Sequence, residues 1–201
     1  MDPKEIVRRG YDRISEAYRG DDEEPDGYVD WLTELADGLP AGAQVLDLGC
    51  GNGVPVARWL SEHGFAVHGV DISERQIERA RALVPGATFE VSDMSALTLE
   101  PGSLDAVVAL YSIIHVPLEE QPDLFLRIAQ ALRPGGRALM IVGTDGWTGT
   151  EEDWLGAKMY WSTADLDTYR GWFADAGLAV LWTRFIPEGD GGATLVLAAR
   201  A

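Results

Sequence analysis

The chain has 201 residues, 46% of them hydrophobic and 24% charged, which suits one globular domain and excludes a disordered chain. Its 16 basic and 33 acidic side chains give a net charge of −17, which argues against a nucleic-acid binder and against docking on an anionic membrane. The single cysteine, Cys50, excludes an intrachain disulfide and favours a reducing, cytoplasmic location. We expect no secretory signal in the charged N-terminus and no membrane span, because no apolar run reaches ~20 residues.

Apolar residues recur at helical spacing through residues 2–38, which predicts two helices separated by an acidic loop at 20–27. From residue 43, short runs that are apolar at nearly every position alternate with helical segments, as is typical of a parallel sheet covered on both faces. Five such strands are predicted, at 44–48, 65–70, 87–91, 105–111 and 137–142. Helices are predicted between them at 54–64, 72–84 and 118–136. Ser73 is the expected N-cap of the second of these helices, with Gln76 as its capping-box partner.

The last third of the chain has a different pattern. Residues 145–161 are aromatic and are predicted to form a loop, and residues 163–177 a helix that ends at Gly177. Two β-rich runs, 178–188 and 193–200, are separated by a glycine-rich turn, which predicts a hairpin. We therefore predict a single domain over 1–201. Its parts are an N-terminal helical cap (1–38), a core (43–144), a further segment (145–177) and a C-terminal β-hairpin (178–200).

A glycine-rich loop carries the chemical information. Asp47, Gly49, Gly51 and Gly53 follow the first predicted strand directly and precede a helix. Glycines allow a tight turn and a close approach of a ligand to the backbone, and the helix start offers free N–H groups to an anion. Such a loop alone is a weak indication of a binding site.

Two acidic residues strengthen the indication of a binding site. Asp71 ends the second strand, where a carboxylate can bind both hydroxyls of a ribose, and Asp93 follows the third, where it can accept a hydrogen bond from an adenine amino group. Ligands of open α/β sheets bind along this carboxyl edge. The alternative is that each carboxylate only caps the following helix or turn.

These residues, together with LRPGG at 132–136 and the terminal hairpin, resemble the class I S-adenosylmethionine-dependent methyltransferases over about residues 10–200. The resemblance implies an α/β, doubly wound, Rossmann-like fold. Its seven-stranded sheet would be mostly parallel, with an antiparallel strand from the C-terminal hairpin and helices on both faces. It implies S-adenosylmethionine as the cofactor and S-adenosylhomocysteine as the product.

The resemblance also implies roles for individual residues. Asp47 would reach the methionine amino group, and Asp71 would bind the ribose hydroxyls. The other residues implied to contact the cofactor are Gly49, Cys50, Gly51, Gly53, Ile72, Asp93, Met94, Leu110 and Tyr111. Residues 11–18 resemble the short tyrosine-containing helix that folds over the cofactor in this family, with Tyr18 the preferred candidate and Tyr11 the second. Packing in the core is the alternative for both tyrosines.

His115 is the candidate general base, because it follows the fourth strand on the carboxyl edge and a hydroxyl or ammonium acceptor must lose a proton. The segment 112–115 resembles that of phosphoethanolamine-type N-methyltransferases, in which such a histidine pairs with an N-terminal tyrosine. Tyr18 and Tyr11 are both possible partners here, and Tyr18 is predicted to act with His115 as a catalytic residue. A purely structural histidine is the alternative. No metal site is predicted, because the three histidines lack ligand spacing.

The segment 145–173 holds four of the seven tryptophans and is the candidate acceptor-binding region. Aromatic walls suit an apolar or aromatic acceptor, or a cation bound against ring faces. The candidate substrate-binding residues are Tyr11, His115, Trp147, Met159, Tyr160 and Trp161.

The preferred function is methylation of an O or N atom of a small molecule, with a biosynthetic or specialised-metabolite pathway as the expected setting. The alternatives are a peptide or protein methyltransferase and a non-catalytic cofactor-binding module. Residues 1–30 carry five basic and ten acidic side chains, and residues 145–175 carry two and seven. An acidic mouth to the site would favour a neutral or cationic acceptor. The sequence does not indicate the oligomeric state.

Overall fold

The structure, a computed structural model, describes residues 2–25, 27–189 and 191–201. Within these ranges the helices are α1 (Pro3–Tyr18), α2 (Val29–Ala36), α3 (Val56–Glu62), α4 (Glu74–Leu83), α5 (Gln121–Ala131) and α6 (Leu166–Ala176). The strands are β1 (Gln44–Leu48), β2 (Ala66–Asp71), β3 (Thr88–Val91), β4 (Leu104–Ala109), β5 (Leu132–Gly143), β6 (Trp147–Trp154), β7 (Ala157–Thr163), β8 (Leu178–Glu188) and β9 (Gly191–Arg200). Two short 3₁₀ helices, Ile113–His115 and Leu118–Glu120, precede α5.

Seven strands form one sheet in the order β3-β2-β1-β4-β5-β9-β8. Strands β1 to β5 are parallel to one another, whereas β9 is antiparallel to both β5 and β8. The predicted α/β fold, with five parallel strands and an antiparallel terminal hairpin, is therefore confirmed. The turn of that hairpin includes residue 190, which lies outside the described residues.

Alternate side chains of the central strands point to opposite faces of the sheet, and each face has its own apolar core. Val45 of β1 packs with side chains of α2, α3 and α4 on one face. Leu46, the next residue, packs with α5 and α6 on the other. Helices therefore cover both faces, and the carboxyl ends of the parallel strands form one open edge.

The start of α4 differs in one detail from the predicted capping box. Ser73 caps the helix as expected, since its Oγ accepts a hydrogen bond from the Gln76 N–H at 3.1 Å. The Gln76 side chain does not return to the Ser73 backbone. Its Oε1 instead accepts from the Ser15 hydroxyl of α1 at 2.7 Å, so this glutamine joins two helices.

The prediction of a loop over 145–161 is wrong. These residues form an antiparallel pair, β6 and β7, that is separate from the main sheet. Leu155 and Gly156 connect the strands, with φ angles of 53° and 94°, and positive φ at both central residues is typical of a type I′ hairpin turn. The sequence does not indicate this hairpin, because the side chains of β6 are largely exposed. The strand therefore lacks the apolar alternation of a half-buried strand.

Helix α1 lies across β7 and α4 at the open edge of the sheet. Its residues Ile6, Val7 and Ile14 pack with Met159 and Tyr160 of β7 in a third apolar core. Close packing is possible because α1 has no side chain at Gly10, where a Cβ would lie 2.7 Å from the Met159 Cε.

A buried arginine of α4 holds the C-terminal end of α1. The Arg79 guanidinium donates to the backbone carbonyls of Ser15 and Arg19, at 2.6 and 2.7 Å, and to the Asp21 carboxylate at 2.5 Å. Arg75, one turn earlier, also reaches α1, but its pair with Glu16 is exposed. Buried hydrogen bonds to charged groups stabilise more than exposed ion pairs do.

We expect Arg79→Gln to loosen α1 and to lower the free energy of unfolding by about 2–4 kcal/mol, because it leaves buried carbonyls without their donor. Arg75→Gln is the matched control, with a much smaller expected loss because its ion pair is exposed. Amide hydrogen exchange across residues 6–19 and urea denaturation measure both effects. Equal protection of α1 in the two variants would contradict the role given to Arg79.

Candidate functional site

The glycine loop lies between β1 and α3 at the open edge. Gly49, Gly51 and Gly53 have φ angles of 75°, 55° and 77°, a region that strains side-chain-bearing residues. The Gly49 N–H donates to the Val70 carbonyl at 2.7 Å, and the Gly51 N–H donates to the Asp71 carboxylate at 2.9 Å. The loop is thus fastened to the end of β2.

Neither Cys50 nor Gly53 is placed to take part in a reaction. Burial raises the pKa of the Cys50 thiol well above its ordinary value, so the thiolate is disfavoured. A Cβ at Gly53 would meet Val84 and Phe89 at 3.1 and 3.2 Å, which places this glycine against the core rather than against a cavity.

Asp47 is a buried acid without a partner. Its side chain is 3% exposed, and its Oδ2 has no hydrogen-bond partner within the described residues. Burial, together with the nearby negative charge of Asp71, raises the pKa of Asp47 to about 7. The residue lines a small cavity that also contacts Arg19, Tyr28 and Cys50. A buried, unpaired carboxylate facing a cavity is suited to a cationic ligand group.

Asp71 ends β2 and is better satisfied than Asp47. Its two oxygens accept from the backbone N–H groups of Gly51 and Ser73, each at 2.9 Å. Burial raises the pKa of Asp71 to about 6, although these two hydrogen bonds lower it. Part of the capping alternative is therefore correct, since Asp71 does cap the turn into α4. It also lines the main cleft at the open edge.

Asp93 forms a charged cluster with the first turn of α1. Lys4 Nζ lies 2.7 Å from Asp93 Oδ2 and 2.5 Å from Glu120 Oε2, and it donates to the Ser95 hydroxyl at 2.6 Å. Burial favours a higher pKa for Asp93, but hydrogen bonds from Lys4 and Ser95 lower its pKa below the ordinary value. Asp93 is thus an ionised acceptor at the rim of the cleft.

The main cleft runs along the ends of the first four strands. It brings together most of the predicted cofactor-binding residues. Those that line it are Tyr18, Gly49, Gly51, Asp71, Ile72, Asp93, Met94, Leu110 and Tyr111, with Tyr11 and His115 at one end. Asp47 and Cys50 line the adjoining small cavity, which shares Tyr18, Gly49, Gly51 and Leu110 with the cleft.

His115 is held in a defined tautomer. Its Nδ1 lies 2.6 Å from the Tyr160 carbonyl oxygen, which can only accept, so Nδ1 carries the proton. Its Nε2 therefore accepts, and the Tyr11 hydroxyl donates to it at 2.9 Å. Burial lowers the pKa of His115 to about 4, although the Tyr160 carbonyl raises it slightly. At neutral pH the ring is an uncharged potential base.

Of the two possible tyrosine partners, the structure pairs Tyr11 with His115. Tyr18, one heptad later on the same face of α1, packs edge-to-face on Tyr11 with ring centroids 5.1 Å apart. The helical period places both on this face but does not indicate which hydroxyl reaches the histidine.

Beyond the His115–Tyr11 pair lies an aromatic chamber. Its lining residues are Tyr11, Tyr18, Arg19, Tyr28, Tyr111, Ile114, His115, Trp154, Trp161 and Glu188. Trp154 packs edge-to-face on Trp161 with centroids 5.2 Å apart. Tyr111 holds a φ of 57°, unusual for a residue with a side chain, at the boundary between cleft and chamber.

The predicted substrate-binding residues divide into two groups. Tyr11, His115 and Trp161 line the chamber. Trp147 is 53% exposed on β6, and Met159 and Tyr160 are buried against α1, so these three do not line it. Tyr160 and Trp161 are adjacent on β7, so their side chains point to opposite faces of the hairpin.

Sequence reasoning missed Arg19, Tyr28, Trp154 and Glu188 as residues of the site. Arg19 and Tyr28 flank the acidic loop after α1, and the Arg19 guanidinium donates to the Tyr28 hydroxyl at 3.0 Å. Trp154 and Glu188 lie at the ends of β6 and β8, where only the tertiary structure brings them together. The aromatic composition of 145–173 was the only available signal, and it indicated the segment rather than the residue.

Known proteins share this architecture. Residues 45–136 match the family model described as a methyltransferase domain. The 27-O-demethylrifamycin SV methyltransferase of Amycolatopsis mediterranei (strain S699) is 39% identical over 105 residues, which are 49% of this chain and 38% of that protein. The chain spans between 32% and 58% of the length of such curated relatives.

Two solved structures align with most of the chain. An S-adenosylmethionine-dependent methyltransferase from Mesorhizobium loti matches 88% of this chain and 100% of its own, with a TM-score of 0.69 and 26% identity. The magnesium protoporphyrin IX methyltransferase from Synechocystis PCC 6803, with bound S-adenosylhomocysteine, covers 100% of both chains with a TM-score of 0.77 and 22% identity.

The fold is therefore that of the class I S-adenosylmethionine-dependent methyltransferases. Within it, residues 45–136 match the methyltransferase-domain family model. None of the helices in the described part of the chain combines the length and apolar character needed to cross a bilayer. In the same part, no three His, Cys, Asp or Glu side chains are grouped to hold a metal ion.

Proposed function

We propose that the chain is an S-adenosylmethionine-dependent methyltransferase that methylates an oxygen or nitrogen atom of a small molecule. The observation that carries the proposal is that the cleft and the aromatic chamber share several lining residues. Tyr11, Tyr18, Tyr111 and His115 line both the cleft of the glycine loop and the aromatic chamber. A cofactor in the first and an acceptor in the second would adjoin, as direct transfer between them requires.

The residues of the cleft fit the cofactor. The unpaired Asp47 carboxylate would bind the ammonium of its methionine part, and Arg19, at the same cavity, its carboxylate. Asp71 would accept from the ribose hydroxyls, since each of its oxygens has a lone pair beyond the backbone hydrogen bond. Asp93 would accept from the adenine amino group, with Ile72 and Met94 packing on the ring.

The bound cofactor supplies an electrophilic methyl group, so the protein mainly aligns the acceptor and excludes water. The acceptor also loses a proton. Its hydroxyl or amine would donate to the Tyr11 oxygen while the Tyr11 hydroxyl proton moves to Nε2 of His115. The resulting imidazolium keeps its Nδ1–H hydrogen bond to the Tyr160 carbonyl. A weak base suffices, because the acceptor atom becomes acidic as the methyl group bonds to it.

The small-molecule assignment is supported by the aromatic side chains of α1, β6 and β7 that line the chamber, because they suit an apolar or aromatic acceptor. The rifamycin-modifying relative, by its name, acts at an oxygen atom. This supports an oxygen acceptor here. A peptide acceptor would have to enter the same chamber by one side chain. A cytoplasmic location stays a prediction.

The proposed function is tested first by calorimetry with S-adenosylmethionine. We expect saturable binding, and we expect Asp71→Ala to weaken it at least tenfold, because two hydroxyl hydrogen bonds to a buried charge are lost. Asp175→Asn, an exposed acid of α6, is the control and should bind as the wild type does. Absence of cofactor binding by the wild-type protein would refute the function, and unchanged affinity of Asp71→Ala would refute only the ribose contact.

A further inference from the structure

One residue that lines the aromatic chamber carries a carboxylate. Glu188 ends β8, and its side chain lines the chamber together with the packed rings of Tyr18, Trp154 and Trp161. It lies beside Tyr111, whose pKa is raised by burial and by this negative charge. No lysine, arginine or histidine among the described residues forms an ion pair with Glu188.

The chamber's one cationic side chain does not neutralise this charge. Arg19 also lines the chamber, but one guanidinium nitrogen pairs with Glu23 at 3.0 Å and another donates to the Tyr28 hydroxyl. The guanidinium also lies about 5.5 Å from the centroid of the Tyr28 ring. Its charge is paired with Glu23 and is assigned to the cofactor carboxylate in the proposed function, whereas Glu188 has no cationic partner among the described residues.

Aromatic ring faces and a carboxylate together form the arrangement that binds an alkylammonium group. The negative face of a tyrosine or tryptophan ring attracts a cation, and the attraction grows as water is excluded. The segments that flank the chamber, residues 1–30 and 145–175, are also acidic and would raise the local concentration of cations. A neutral or anionic acceptor would gain nothing from the Glu188 carboxylate or from these acidic segments.

We propose that the acceptor carries a protonated amine that binds between Glu188 and the aromatic rings of this chamber, as a group separate from the atom that is methylated. This inference rests on the proposed function and specifies its substrate class. The amine fixes the acceptor beside Glu188, and the reacting hydroxyl or amine is thereby directed to the Tyr11–His115 pair. Glu188 is a specificity-determining residue in this arrangement.

The experiment compares two probes of nearly equal shape. Tyramine carries an ammonium group, and 4-ethylphenol lacks it. Quenching of tryptophan fluorescence, in the presence of S-adenosylhomocysteine at pH 7.5, reports binding near Trp154 and Trp161. We expect tyramine to bind at least tenfold more tightly than 4-ethylphenol. Glu188→Gln should remove most of that preference and leave the affinity for 4-ethylphenol unchanged.

Glu151→Gln is the matched control, because Glu151 is an exposed acid of β6 that does not line the chamber. Glu151→Gln changes the net charge by the same amount as Glu188→Gln, and it should keep the preference for tyramine over 4-ethylphenol. The proposal is overturned if 4-ethylphenol binds as tightly as tyramine, if neither probe binds, or if the preference survives Glu188→Gln. Calorimetry with S-adenosylhomocysteine separates the two proposals. Its failure to bind refutes the methyltransferase function, whereas the probe preference measures the amine site directly.

Discussion

Asp47→Asn is expected to weaken cofactor binding by a factor of about 10²–10³. The carboxylate is buried, and its Oδ2 has no partner among the described residues, so the cofactor ammonium would be its first strong interaction. Removing one member of a buried charge pair costs about 2–5 kcal/mol, a range that includes the ~3–4 kcal/mol equivalent to this loss of affinity. Calorimetric titration with S-adenosylmethionine measures it. An affinity within threefold of the wild type would show that Asp47 does not bind the ammonium.

The same residue makes the stability of the cofactor-free protein depend on pH. Asp47 has a pKa of about 7 when folded, against 3.8 for an ordinary aspartate, so the folded state binds more protons between these values. Its contribution to the free energy of unfolding is therefore greatest below pH 3.8 and decreases as pH rises through 7, by about 4 kcal/mol in all. Asp47→Asn should flatten this decrease in urea denaturation between pH 5 and 8, and Asp175→Asn should not.

Cofactor binding should also release protons. At pH 7 a group with a pKa of about 7 is about half protonated, and a bound ammonium would lower that pKa. We expect about half a proton to be released per cofactor bound, measured by calorimetry in buffers of different ionisation enthalpy. Asp47→Asn should abolish most of this release. A destabilised or misfolded variant would lose affinity too, but it would not flatten the pH dependence of stability.

The sheet could be predicted from sequence because its strands are buried on both faces. Continuous apolar runs such as residues 106–111 have one physical interpretation when helical segments alternate with them. The acidic residues at strand ends were identifiable for the same reason, since the carboxyl ends of parallel strands share one edge. Asp71 and Asp93 could thus be placed at the cleft before their surroundings were known.

The acceptor side could not be predicted in the same way. Strand β6 is exposed, so no apolar period marks it, and the Leu155–Gly156 turn is not one of the common hairpin dipeptides. Without the hairpin, nothing distinguishes Trp154, which lines the chamber, from the exposed Trp147. The identity of the histidine's partner also depends on how far α1 is shifted along its axis, which the 3.6-residue period does not determine.

The second large effect is expected at the His115–Tyr11 pair. His115→Asn should lower kcat by a factor of about 10²–10⁴, because the proton acceptor Nε2 is removed. Asparagine is the informative substitution, since its side-chain N–H can replace Nδ1–H at the Tyr160 carbonyl and preserve the local packing. Cofactor affinity should be unchanged in calorimetry. Turnover is measured by cofactor consumption with any acceptor found in a panel of hydroxyl and amine compounds.

The pH dependence of kcat distinguishes a base from a structural histidine. Because burial lowers the pKa of His115 to about 4, the ring stays neutral at every pH above about 5. We expect the acidic limb of the kcat profile to lie well below the ordinary histidine value of 6.5, and to disappear in His115→Asn. A limb near 6.5 would mean that His115 is exposed to solvent in the working enzyme and is not the buried base described here.

Tyr11→Phe tests whether the two groups act as one unit. The ring keeps its edge-to-face packing on Tyr18 and Trp154, so only the hydroxyl that donates to Nε2 is lost. If the proton passes through Tyr11 to His115, the double variant should be no slower than the slower single variant, because removal of either group already breaks the same path. If the two effects multiply, the groups act separately, and His115 would accept the acceptor's proton directly. Asp175→Asn, at an exposed acid of α6 that lines neither the cleft nor the chamber, is the control and should keep the wild-type kcat.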